Sequence, residues 1–191
     1  TKMSMPAAVV GHGAAVVDGK LYIIGGSNYD VWVVNTTLQY DPSLDTWSKR
    51  ASMPTARSNF GIAVYENKIY CIGGDVGTYK PVPTGIVEVY DPATDTWETK
   101  TSMPTARYDL TANVVKDKIY LIGGFDFIGP YSLNITEVYN PEIDTWTTKA
   151  QMPVGVMSHS SAVVNDKIYV LAGRVYTDTS GYDCNFTQIY D

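Results

Sequence analysis

Two arginines, Arg57 and Arg107, each close an MPTAR pentapeptide. A guanidinium is a planar fork of donors that can hold a carboxylate through two bonds, so both are candidates for gripping an acidic ligand. The competing reading is a tie to neighbouring backbone. Aromatic rings beside carboxylates form a second pattern: Tyr29 and Trp32 flank Asp30, Tyr79 follows Asp75, Phe127 and Tyr131 follow Asp126, and Tyr182 precedes Asp183. A ring beside a carboxylate suits a sugar or a peptide side chain, although the same rings can fold down onto their own segments. His12 and His159 would need a carboxylate partner to hold a metal, and no spacing supplies one, so neither a metal site nor a cofactor is expected. Asn-x-Thr occurs at Asn35, Asn134 and Asn185, a glycosylation acceptor pattern that also suits capping of a strand entrance. Cys71 and Cys184 are too few for a disulfide framework.

The elements that must position these groups repeat. Met-Pro falls at 5–6, 53–54, 103–104 and 152–153. A Lys-hydrophobic-Tyr triplet starts at Lys20, Lys68, Lys118 and Lys167, and a diglycine follows at 25–26, 73–74 and 123–124, with Ala172-Gly173 as the fourth version. The order is constant and the period runs from 48 to 51 residues, the mark of a repeat architecture. Within one period, FGIAVY (60–65), KIYCIGG (68–74), IVEVYD (86–91) and TWETK (96–100) read as four antiparallel strands. Asp18-Gly19 and Glu66-Asn67 are two-residue breaks between the first two strands, and Asp-Gly is a strong hairpin signal. The Asp-Pro-x-x-Asp stretch recurs in each complete unit, with Asn140 for the first Asp in the third, so it reads as a turn and not as an acid/base pair. No helix follows the diglycines, so they are not phosphate loops.

The diglycine, the Tyr and the Trp seven residues later are Gly73-Gly74, Tyr90 and Trp97 in one unit; the flanking units supply Gly25-Gly26, Tyr40, Trp47 and Gly123-Gly124, Tyr139, Trp146. This pattern resembles the kelch repeat over the whole chain. The resemblance implies an all-β, kelch-type β-propeller: four four-stranded antiparallel blades at about 7–50, 55–100, 105–149 and 154–191, the last incomplete, as part of a larger ring. The tryptophans are expected as wedges between blades. Loops between second and third strands (27–35, 75–85, 125–134, 174–185) then share one face with the blade-to-blade connections, the face on which kelch propellers commonly bind.

Charge and composition narrow the partners. The net charge is −6 and no basic cluster exists, which argues against nucleic acid and anionic membranes. No apolar run reaches the roughly 18 residues of a membrane span. The leading expectation is a non-enzymatic interaction module that presents one-face loops to a protein or glycan, set outside the cell or on its surface, with a cytoplasmic setting as the alternative. Contact with remaining blades or with further copies of itself is also expected. The resemblance also admits a sugar-modifying enzyme, either a copper oxidase built on Tyr and His or an epimerase using an acid near an arginine, for which Asp109 beside Arg107 is the suggestive neighbour. An architectural role in a surface assembly is the third class.

Overall fold

The computed structural model describes residues 1–28, 30, 32–129, 131–177 and 180–191, and every regular element among them is a strand. Blade 1 contains β1 (Gly13–Val17), β2 (Lys20–Ile24), a small hairpin of β3 (Ser27–Asn28) and β4 (Trp32–Val33), then β5 (Thr37–Asp41) and β6 (Thr46–Arg50). Blade 2 is β7 (Gly61–Tyr65), β8 (Lys68–Ile72), β9 (Val87–Asp91) and β10 (Thr96–Lys100). Blade 3 is β11 (Thr111–Val115), β12 (Lys118–Ile122), β13 (Thr136–Asn140) and β14 (Thr145–Thr148). Blade 4 is a three-stranded sheet of β15 (Ser160–Val164), β16 (Lys167–Tyr176) and β17 (Gly181–Tyr190). All pairings within blades are antiparallel and sequential, except that β2 pairs with β5 across the separate β3–β4 hairpin, and β1, β7, β11 and β15 lie side by side as the inner strands. The four radially arranged antiparallel sheets bear out the propeller expectation.

The turns follow from local chemistry. Both central residues of each inner hairpin are left-handed: Asp18 and Gly19, Glu66 and Asn67, Lys116 and Asp117, Asn165 and Asp166. This primed turn matches the right-handed twist of the strands it joins. The diglycine has a steric cause as well. A Cβ on Gly74, which sits at φ +105, would stand 2.7 Å from the Ser58 carbonyl oxygen of the chain entering the blade. Blade 4 has Ala172 at φ 54 in the first of these positions, and the β16–β17 register slips there, between Leu171 and Gly173.

Packing lies between blades. Ala15, Val17 and Ile24 of blade 1 meet Ile69, Cys71 and Tyr90 of blade 2; Tyr70, Val87 and Val89 of blade 2 meet Ile119, Leu121 and Tyr139 of blade 3. Each such side chain, fully buried, contributes about 2 kcal/mol of transfer free energy. The repeated Tyr-Asp-Pro-x-x-Asp-Thr-Trp phrase, with Asn140 for the first Asp in blade 3, ties the outer edge. Tyr90 Oη donates to Asp95 at 2.6 Å, Asp95 accepts the Ala51 amide at 2.8 Å, and Trp97 Nε1 donates to the Ala51 carbonyl at 2.9 Å. Tyr139, Asp144 and Trp146 bind Thr101 in the same way, and Tyr40, Asp45 and Trp47 bind Met3. The tryptophans are half-buried wedges whose indole donors reach the preceding segment.

The expected loop at 174–185 is different. Most of it is strand, because β16 and β17 continue past the diglycine position and pair as far as Tyr176 and Gly181. Tyr182 therefore sits on a strand, opposite Val175.

Candidate functional site

The rim where blade connections meet the second-to-third connections is built by short backbone bridges. Val10 pairs with Ser27, Ser58 with Asp75, Tyr108 with Phe125 and Met157 with Arg174. Each bridge holds the base of a variable connection against the chain entering the inner strand of the same blade. Side chains then shape what projects. Asp75 Oδ1 accepts the Gly77 amide at 2.8 Å and the Val82 amide at 2.7 Å, which folds the 75–85 connection around one carboxylate. Trp32 is held at φ 59, a left-handed conformation that costs a bulky residue about 1 kcal/mol or more and is drawn to functional sites.

The expected ring residues fall into two groups. Trp32 stacks at a tilt on Tyr79, with ring centroids 5.2 Å apart, and Tyr79 is 84% exposed. A hollow of about 180 Å³ opens beside the pair, floored by Ser58 and Asn59 and walled by Thr78 and Lys80. Phe127 stacks on Tyr108 at 5.6 Å and meets Phe125 edge-on at 4.9 Å, yet stays 53% exposed. A second hollow of about 360 Å³ joins Phe127 to Lys80, Pro81, Val82 and Pro83, so the connections of blades 2 and 3 share one apolar trough. Tyr131 and Tyr182 are each half-exposed. Phe125 has folded down into a buried cluster with Tyr108 and Met157, and Tyr176 packs on it from blade 4. Tyr29 lies outside the described residues.

The arginines are placed elsewhere. Arg57 and Arg107 are both 0% exposed, turned into their blades. Arg57 meets Glu88 at 3.1 Å and donates to the Cys71 carbonyl at 3.0 Å. Arg107 pairs with Glu137 and donates from Nε to the Gly123 carbonyl at 2.8 Å and from its terminal nitrogens to Thr105 and Leu121. Thr55 and Thr105 hydroxyls complete the glutamates' shells at 2.7 and 2.8 Å. The carboxylate each guanidinium grips is thus the chain's own, and the rim receives no charge from either. The partners were present in the sequence as Glu88 and Glu137, two residues before the repeat Tyr, but only in blades 2 and 3.

The amides of the Asn-x-Thr sites are engaged in two cases. Asn35 Nδ2 donates to the Met53 carbonyl at 2.9 Å, and Asn134 Nδ2 donates to Gln151 at 3.2 Å and to the Met152 carbonyl at 3.3 Å. Asn185 is exposed on β17.

Around the axis, Gly11, Asn59, Asp109 and Ser158 all take left-handed φ between 51 and 62. They are linked by amide-to-carbonyl bonds: Asn59 to Gly11 at 2.8 Å, Asp109 to Asn59 at 2.9 Å and Ser158 to Asp109 at 3.1 Å. This arc went unread in the sequence, although Gly, Asn and Asp at one repeat position is the signal of a left-handed residue. It lines a hollow of about 230 Å³ that brings His12 and His159 to one mouth. Burial pushes the Asp109 carboxyl up, and its Oδ2 accepts the Ser158 hydroxyl at 3.0 Å. His159 Nε2 meets Thr111 at 3.0 Å, Nδ1 is buried with no partner among the described residues, and burial drives the ring down to about 4, so it is neutral at pH 7. No cluster of three metal-ligating side chains occurs among the described residues.

Comparisons agree with this architecture. The KLHDC2/KLHL20/DRC7 Kelch-repeats domain model matches residues 1–124, and the Kelch motif model matches residues 106–153. No curated protein matches the chain. Among solved structures, one titled "Structure of YjhT" superposes with a TM-score of 0.78 at 18% identity over 91% of this chain, a likeness of fold. The chain spans about six-tenths of that structure's length, 62%. With the family model covering more than half of the residues and the blades, diglycines and Tyr–Trp ties in place, the chain belongs to the kelch-repeat family.

Proposed function

We propose that this propeller segment is a binding module that takes an extended, apolar-rich stretch of a protein partner across the rim of blades 1 to 3. One observation carries the reading. Exposed aromatic and aliphatic side chains run from Trp32 and Tyr79 through Val82 to Phe127, Ile128 and Tyr131, across connections from three blades held on rigid bridges. Singly exposed apolar residues are ordinary, but a contiguous apolar run marks an interaction surface. Buried aromatics are also the side chains that dominate protein interfaces. A protein partner is favoured over a glycan by Val82, Ile128 and the two prolines, which offer hydrocarbon and few hydrogen bonds. Asp75, which lines the same hollow as Trp32 and Tyr79, spends its oxygen on its own loop. Kelch-repeat propellers are in general interaction modules, in keeping with this reading. An extracellular setting belongs to the same proposal through Asn35, Asn134 and Asn185, and intact mass of the protein from its native source tests it.

Selection from a displayed random-peptide library, followed by affinity measurement, tests the partner class. Enriched peptides should carry hydrophobic anchors and lose at least tenfold in affinity against Tyr79→Ser and Phe127→Ser. Binding only to glycans, or peptides indifferent to both substitutions, refutes the reading.

A further inference from the structure

The opposite face of the propeller carries a cleft lined by a largely buried tyrosine, Tyr70, whose hydroxyl has no hydrogen-bond partner among the described residues. In blade 1 the phenol of Tyr22 is capped, because Gln39 Nε2 donates to it at 2.6 Å while Gln39 Oε1 accepts from Arg50 Nε at 2.9 Å. Blade 2 places Tyr70, Val89 and Lys100 at the same three positions of the strands. Valine offers no donor and is shorter, so the cap is missing. Tyr70 is 6% exposed, its ring held against Tyr65 at 6.4 Å and Tyr139 at 6.2 Å, and its hydroxyl has no hydrogen-bond partner among the described residues. It lines a cleft of about 580 Å³ between blades 2 and 3, within the range of small-molecule sites.

The charges around the cleft are unevenly matched. Lys100 pairs with Glu98 at 2.6 Å, Lys68 with Asp91 at 3.5 Å and Lys116 with Asp166 at 3.5 Å. Among the described residues, Glu66, Asp117 and Glu142 line the cleft without an ion pair, against Lys118 as the one unpaired ammonium there. The phenols register the same balance. Burial first and then Glu66 push Tyr70 up to about 12, and burial first and then Glu66, Asp117 and Glu142 push Tyr65 up. Two aromatic rings, a free phenol oxygen and unpaired carboxylates are the groups that recognise an organic cation.

We propose that the cleft between blades 2 and 3 binds a small alkylammonium or guanidinium compound, with Tyr70 as the buried contact and Glu66, Asp117 and Glu142 supplying the opposing charge. The site is remote from the rim and independent of the partner proposed there. Val89 leaves the Tyr70 hydroxyl uncapped, where Gln39 at the blade 1 position holds that of Tyr22.

The test is calorimetric titration of the whole chain with agmatine and with spermidine, and with citrate as the anionic comparison. Saturable amine binding that weakens with salt is expected, without citrate binding. Tyr70→Phe should weaken it about fivefold, the worth of one hydrogen bond. Val89→Gln, which restores the cap, should abolish it, and the exposed-edge change Glu142→Gln should weaken it severalfold. If Val89→Gln fails to fold, Tyr70→Phe and Glu142→Gln decide. No saturable amine binding, citrate binding in its place, or amine binding untouched by these substitutions overturns the proposal.

Discussion

Blades 2 and 3 each bury an arginine against a glutamate, and blades 1 and 4 fill the same two positions without charge. Arg57 faces Glu88 and Arg107 faces Glu137, all four side chains at or near zero exposure. Blade 4 has Val156 and Gln188, and the Gln188 amide holds the Val154 backbone by both its atoms, at 2.9 and 3.0 Å. Blade 1 has Val9 and Leu38, with Leu38 buried as hydrocarbon. One scaffold position is thus satisfied by an ion pair, an amide clamp or plain packing. What the blade requires there is that a buried charge be paired, even though Arg57 Nε is left without a partner among the described residues, and removing two charges from water costs several kcal/mol that only good geometry repays.

That comparison can be broken. Arg107→Val alone leaves Glu137 buried and unpaired, and should cost about 3–5 kcal/mol in denaturant unfolding. A loss below about 1 kcal/mol would show that the pair is not a unit.

Next in size is the pH response of blade 4, where His159 takes the place of Phe60. Its folded value, about 4, lies below the unfolded 6.5, so burial favours the neutral ring. The stability this protects is complete above pH 6.5 and is lost as pH falls through 4, a loss of about 3 kcal/mol. The raised Asp109 carboxyl acts in the opposite sense, contributing below its unfolded value and losing that contribution as pH rises through its folded one. Unfolding curves at pH 7 and pH 4 for the protein and for His159→Phe measure the histidine's share. An equal acid loss in both removes it.

The double substitution Arg107→Val with Glu137→Gln copies blade 4 into blade 3. It should recover most of the single-variant loss and end within about 1–2 kcal/mol of the parent. The smallest expected effect is on the rim. Tyr79→Ser should move stability by no more than about 0.5 kcal/mol, because the ring is almost wholly exposed, while peptide affinity falls.

Much of the fold is legible in the sequence. The hairpin turns followed from Asp18-Gly19 and its counterparts, and the Trp phrase announced itself by recurrence. The fourth unit misled, because Ala172 in place of glycine does not end the strand, and β16 runs on where a loop was expected. The site was legible in part. Trp32, Tyr79, Phe127 and Tyr131 stand exposed on the anticipated connections, whereas the arginines went to the interior. Nothing local distinguishes an arginine that will meet a glutamate some 30 residues away from one that will meet a ligand.

The sequence by itself determined the repeat, the strands and the turns, since these depend on residue spacing and on conformations accessible within a few residues. The tertiary structure alone decided which carboxylates neutralise Arg57 and Arg107, which rings remain in water, and that Val89 leaves Tyr70 uncapped where Gln39 covers Tyr22. Those outcomes depend on side chains brought together across strand and blade boundaries, where burial and pairing set the energy and sequence distance carries no information.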